Sequence, residues 1–156
     1  MKNRLKYLLC TVLCAICVAA CSKDETVVIE PIGSYTFGEK QCDIMTGRYA
    51  EDDYGYHFVF SPLLPSAPQT TMVYFAIAKY FTGAPVDVSG IYHNDDYAFS
   101  YEDPVCYYSQ YRSLKSGTVS VKALGNGGFE IMLDVILPDG TPFYLDFSGT
   151  LEQAGI

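Results

Sequence analysis

The stretch SGTVSVKALGNGGFEIMLDVILPDGTPFYLDFSGTLE, Ser116 to Glu152, decides the fold. Its apolar residues alternate with polar ones in three runs, TVSVKAL, FEIMLDVIL and TPFYLDFSGTL, which is the period of a half-buried strand. The separators GNG and PDG are three-residue loops ending in glycine, the form of a type I turn followed by a left-handed residue. Such loops fix register. If Leu137 faces Thr141, then Val135 meets Phe143, Leu133 meets Leu145 and Ile131 meets Phe147. If Leu124 faces Gly128, then Ala123 meets Phe129, Val121 meets Ile131 and Val119 meets Leu133. Two independent turns thus predict one continuous apolar face on three strands, and a slip of one residue destroys both matches. The reverse face agrees: Lys122 falls opposite Glu130, Thr118 opposite Asp134, and Asp134 opposite Tyr144, a solvent face with a cross-strand charge pair.

Working upstream, YGYHFVF alternates Tyr54, Tyr56, Phe58 and Phe60 against Gly55, His57 and Val59. TTMVYFAIAKYF is apolar on both faces, as a central strand would be. Between them SPLLPSAPQ, with three prolines, reads as an irregular connection. YTFGEKQCDIMTGRYA supplies one or two earlier strands and VCYYSQYRS another. IYHNDDYAFSYED reads as an acidic loop with one short strand at Tyr97 to Tyr101. No helical pattern of useful length appears beyond the N-terminal region. The expectation is all-β: an antiparallel meander of about eight strands forming a lipocalin-like barrel or a two-sheet sandwich.

The N-terminus is a different kind of segment. Lys2, Arg4 and Lys6 precede a thirteen-residue apolar run, Leu8 to Ala20, the layout of a secretory signal. A membrane-spanning helix needs about 18–20 apolar residues, so this run is short for one. Val18-Ala19-Ala20-Cys21 resembles the lipobox of bacterial lipoproteins. That resemblance implies cleavage before Cys21 and acyl chains on its thiol and new amino group. Ser22-Lys23-Asp24-Glu25 is similar to the short acidic export signal of surface lipoproteins in Bacteroides relatives; the same charges would also serve as a solvated tether. Two or more acyl chains hold a protein firmly on a membrane. The domain reading is therefore 1–20 signal peptide, 21–32 lipidated Cys21 with a flexible tether, and 33–156 one all-β domain. The closing hairpins carry a second, looser likeness. Ser116, Gly117, Thr118, Val119, Val121, Asp139, Gly140, Ser148, Gly149 and Leu151 match a pattern in small lipoprotein domains of Bacteroides relatives. Those domains are described as lipocalin-like barrels or sandwiches without assigned activity, so no catalytic residue comes with the likeness.

Composition then limits function. Removing residues 1–20 takes away Lys2, Arg4 and Lys6 and no acid, leaving 7 basic and 18 acidic residues, a formal charge of −11 against −8 for the whole chain. Such a surface repels phosphate backbones and argues against nucleic acid as a partner. Roughly 125 residues beyond the tether make one core and not two. Of six cysteines, Cys10, Cys14 and Cys17 leave with the signal and Cys21 is spent on lipid. Cys42 and Cys106 remain, either bonded to each other outside the cytoplasm or as two small buried hydrophobes. No zinc-ligand spacing is present.

Catalytic patterns are sparse. The body offers His57 and His93 and no Gly-x-Ser-x-Gly elbow; Cys106 lies among strand residues with nothing to mark an oxyanion hole. Asp134 and Asp146 share a strand face at a diagonal spacing of roughly 7–8 Å, within the separation a glycosidase pair uses. Their face also carries Lys122, Glu130 and Thr118, so solvated acids are expected. The runs Glu51 to His57, His93 to Asp96 and Glu102-Asp103 cluster oxygen ligands without the spacing of a calcium loop. No cofactor pattern appears. Tyrosine is the remaining candidate: its flat face and hydroxyl stack on sugars or anchor interfaces, though it is also common in half-buried strands. Tyr92, Tyr97, Tyr101, Tyr107, Tyr108 and Tyr111, around the acidic loop, are the candidate contacts. The functional expectation is a non-enzymatic lipoprotein of the cell envelope, held by acyl chains on Cys21 at the outer membrane and exposed on the cell surface. It would bind a glycan, a small molecule or an envelope protein, through a Tyr- and Phe-lined concavity or a loop face. The alternatives are an accessory subunit docking another envelope protein and, last, a glycan hydrolase.

Overall fold

A computed structural model describes residues 29–64, 66–67, 71–90, 97–102, 107–110 and 114–154. Strand follows strand: β1 (Gly33–Phe37), β2 (Lys40–Ile44), β3 (Thr46–Glu51), β4 (Gly55–Ser61), β5 (Met72–Ala78), β6 (Val86–Asp87), β7 (Tyr97–Glu102), β8 (Tyr107–Gln110), β9 (Ser116–Gly125), β10 (Gly128–Ile136), β11 (Pro142–Thr150) and β12 (Glu152–Gln153). Helical structure among the described residues is limited to single 3-10 turns at Lys79–Phe81 and Val88–Gly90, and no helix there is long and apolar enough to cross a membrane. The signal segment, Cys21 and the start of the tether lie outside the described residues.

The strands form two six-stranded sheets, ordered β2-β1-β11-β10-β9-β6 and β12-β3-β4-β5-β7-β8. Neighbours are antiparallel except β12, which runs parallel to β3. The two sheets share no paired strands among the described residues, so the fold is a sandwich and not a closed barrel. The expected registers hold: Ile131 opposes Phe147, Leu133 opposes Leu145 and Val135 opposes Phe143, while Val121 and Val119 oppose Ile131 and Leu133. On the outer face Lys122 opposes Glu130 and reaches its carboxylate at 3.2 Å.

Several readings change. The PDG loop is a three-residue turn as expected, with Leu137 N–H donating to the Thr141 carbonyl and Gly140 at φ 91°. The GNG loop is tighter: Asn126 and Gly127 alone turn the chain, both left-handed at φ 52° and 75°, so Gly125 and not Leu124 faces Gly128. A register shift between Gly128 and Phe129 absorbs the extra residue, which is why the downstream pairs still match. YTFGEKQCDIMTGRYA makes three strands, β1 to β3, rather than one or two. The short strand expected at Tyr97 to Tyr101 is present as Tyr97–Glu102, and what changes is its place: it is an inner strand between β5 and β8, because Tyr97, Phe99 and Tyr101 all bury on one face. The described residues therefore hold twelve strands, where about eight were expected.

The sheets pack through aromatics. On β11, Phe143 meets Phe99 of β7 at 4.8 Å and Phe147 meets Phe60 of β4 at 5.3 Å. Since β5 separates β4 from β7, β11 crosses the opposite strands instead of running along one, as in orthogonal sheet packing. Such packing needs corners where the chain changes sheet. It has two: β2 becomes β3 through Met45, and β11 becomes β12 through Leu151. Gly47 is part of the same corner, where an added Cβ would come within 2.6 Å of the Leu151 side chain. Val119, Val121, Ile131, Leu133, Phe143 and Leu145 are all buried between the sheets. They fill the interior, so the internal-ligand form of the expectation is set aside.

Candidate functional site

With the interior occupied, candidate surfaces lie at the two ends of β4 and β5. The first end is the turn between β3 and β4. Asp52 Oδ1 accepts the backbone N–H groups of Tyr54 at 2.8 Å and Gly55 at 2.7 Å, a turn that an Asp side chain builds from its own neighbours. Glycine is needed at position 55 because a Cβ would lie 2.3 Å from the Ile77 carbonyl oxygen. The other oxygen of Asp52 lies 3.1 Å from His57 Nε2, and His57 Nδ1 lies 2.9 Å from the Tyr74 hydroxyl. The Gly55 N–H, the His57 ring and the Tyr54 N–H hold the Asp52 carboxyl below its usual range. With Asp52 ionised, Nε2 is the donor, and a neutral ring then accepts the Tyr74 O–H at Nδ1. This chain of contacts ties the turn to β4 and β5.

The same end is completed by the turn after β5. The Lys79 N–H donates to the Tyr54 carbonyl at 2.9 Å. Lys79 Nζ pairs with Glu51 at 2.8 Å, which raises its pKa, and lies 5.8 Å from the centre of the Tyr56 ring. Tyr54 and Tyr80 stand out from this frame, 82% and 71% exposed, the most open large apolar side chains of the described residues. Tyr80 packs against Phe81 at 4.6 Å.

At the opposite end, a groove of about 450 Å³ lies where the corner strands meet the chain entering from the tether. Its lining includes Ile32, Met45, Arg48, Val59, Met72 and Glu152. Arg48 and Glu152 pair at 3.3 Å. Thr46 Oγ1 donates to the Leu63 carbonyl, and Ser61 Oγ donates to the Thr71 carbonyl. Thr46 and Ser61 are thus hydrogen-bonded, and the open surface mixes Ile32, Met45, Val59 and Met72 with Thr150 and the exposed Arg48–Glu152 pair.

The tyrosines singled out by sequence fare differently. Tyr97 and Tyr101 are 5% and 0% exposed; Tyr101 stacks on Phe37 at 4.3 Å and the Tyr97 hydroxyl accepts the Leu114 N–H. Both are core residues, a correction that follows from the strand they share. Tyr107 and Tyr108 open β8, with Tyr108 opposite Tyr101. Tyr92, Tyr111 and Cys106 lie outside the described residues. Cys42 is a free, half-buried thiol packed against the core. Asp134 and Asp146 are exposed on the outer face, as expected for solvated acids. Among the described residues no three His, Cys, Asp or Glu side chains gather to hold a metal. Sequence reasoning missed Tyr54 and Tyr80 as a pair. The available signals were the Asp-x-x-Gly turn around Tyr54 and the charge of Lys79 ending an apolar strand.

The fold and its two ends define an all-β, two-sheet sandwich with an aromatic tip and an aliphatic corner. Compared with protein-family models, with curated proteins and with solved structures, the chain matches none.

Proposed function

We propose that this is a lipid-anchored lipoprotein of the cell envelope whose sandwich is a non-enzymatic binding domain, with the tip around Tyr54 and Tyr80 as its contact surface. The observation that carries this reading is the polarity of the body. Residue 29 onward enters at the corner end, whereas the two most exposed aromatic rings among the described residues stand at the other end of β4 and β5. An anchor on Cys21 would keep the corner near the membrane and hold the tip outward. Two exposed phenols on a braced turn offer flat apolar faces and hydroxyls with little ordering cost, the combination that favours sugar rings or protein surfaces.

Intact-mass measurement of the protein from its own membrane tests the anchor: loss of residues 1–20 and added acyl mass are expected. Glycan-array binding of the domain, wild type against Tyr54→Ala with Tyr80→Ala, tests the contact surface. Binding lost in the double variant is expected. No signal on any sugar removes the glycan form of the reading, and a signal unchanged in the variant moves the site elsewhere.

A further inference from the structure

We propose that the corner end of the sandwich seats on a zwitterionic bilayer surface, with the groove beside Ile32 and Val59 turned toward lipid; this rests on the reading of Cys21 as the anchor. Among the described residues, five large aliphatic side chains are 38–51% exposed: Ile29, Ile32, Val59, Leu64 and Leu124. Two of them line the groove and two more lie close to it along the chain. Ile32 and Val59 line it, Ile29 lies three residues before Ile32, and Leu64 follows Leu63, whose carbonyl is bonded to Thr46 of the groove floor. The exposed aromatics Tyr54 and Tyr80 are at the far end. Partly open aliphatic side chains thus stand where the chain enters.

The length of chain before that point supplies the occupant. Eight peptide steps separate Cys21 from Ile29, a reach of at most about 29 Å when fully extended. A body tethered so closely presents its entry end to the membrane more often than any other. Charge selects the lipid. The Arg48–Glu152 pair leaves the floor nearly neutral, while the mature chain carries −11 and is repelled by anionic headgroups. These four aliphatic side chains, each less than half exposed, offer little surface for binding a bilayer from solution. Tethering makes the encounter intramolecular and raises the effective lipid concentration. The anchored chain docks and the free chain does not.

The sequence contains no tryptophan, so a single introduced indole reports its own depth. Val59→Trp, Leu64→Trp and Tyr80→Trp are made in the full chain, anchored through Cys21 in phosphatidylcholine vesicles with brominated acyl chains. Emission from positions 59 and 64 is expected to lose at least half its intensity, and emission from position 80 to stay unchanged. Adding Ile32→Asp should restore the signal at position 64. Cys21→Ser protein at the same lipid concentration should show no quenching. Using two reporter positions covers the failure of either variant to fold, checked by a cooperative melt. Equal quenching at 59, 64 and 80, or none at any, in a chain whose mass carries acyl groups overturns the docking and leaves the anchor standing. An unacylated mass overturns both.

Discussion

Tyr35 sits directly opposite Cys42 across the first hairpin, and its buried hydroxyl makes no hydrogen bond of ordinary geometry, with only the Cys42 thiol and the Tyr101 hydroxyl near enough to act on it. Burial, with the Cys42 thiol and the Tyr101 hydroxyl beside it, pushes the phenol far above its usual pKa, so it stays neutral. The ring itself is well placed, stacked on Phe143 at 6.0 Å. A buried polar group left unpaired costs about 1–3 kcal/mol. Tyr35→Phe keeps the ring and removes the cost, so it should raise stability by about 1 kcal/mol. Urea melts of the two proteins check this, and a loss of stability in the variant would mean the hydroxyl is bonded after all.

Asp52 gives the tip its dependence on acid. Its folded pKa is depressed below the ordinary 3.8 by the Gly55 N–H, His57 and the Tyr54 N–H. A group with a depressed folded pKa contributes stability that is fully present above its unfolded value and lost as pH falls through the folded one. The Asp52→Asn protein should therefore be less stable than wild type at neutral pH, and the difference should shrink below pH 3.8. Thermal melts across pH 2 to 7, with a carboxyl-carbon titration of Asp52, measure both sides. A difference that stays constant with pH would show that the charge is not what braces the turn.

Gly117 marks a place where the backbone rules decide. It stands at φ 128°, and an added Cβ would lie 2.3 Å from the Asp134 carbonyl oxygen across the β9–β10 pair. Neither the conformation nor the contact can relax without separating the strands. Gly117→Ala should cost about 3 kcal/mol or more, at the upper end of backbone strain. Gly83→Ala serves as the comparison, since it also has positive φ, 95°, but meets nothing within 4 Å, and should cost less. Equal losses in the two melts would sink the steric argument.

How much of this was legible in sequence follows from where the information resides. The three closing strands were readable to the residue because each side chain's face is set by its neighbours two positions away, and two short turns fix the pairing. The β7 strand was legible as a short strand at Tyr97 to Tyr101, but its inner place in the sheet was not, since the acids flanking it suggested a loop. Its burial depends on Tyr35, Phe37 and Phe143, which lie far away along the chain. The corner at Met45 was missed for the same reason: an unbroken extended run does not announce that it changes sheet. Tyr54 and Tyr80 lie 26 positions apart, and only the β4–β5 register brings them to one tip.

Phe129 ties the sheets together at the point where that register matters most. From β10 its ring meets Tyr49 at 4.9 Å, Phe58 at 5.0 Å and Tyr56 at 5.4 Å, each edge to face. The first is on β3 and the other two on β4, so one side chain bridges the two strands joined by the Tyr54 turn. Phe129→Ala should cost about 3–5 kcal/mol through lost burial and the cavity left behind. Phe129→Leu keeps most of the volume but forfeits the ring contacts, each worth about 0.5–1.5 kcal/mol beyond burial, and should fall between wild type and Ala. Amide exchange gives the sharper reading. The cavity variant should speed exchange at Tyr49 and Phe58 more than at Tyr35 or Val119, because the latter two lean on Phe143 and the β9–β10 pairs. Uniform acceleration across both sheets would show that Phe129 stabilises the whole domain without holding the tip in particular.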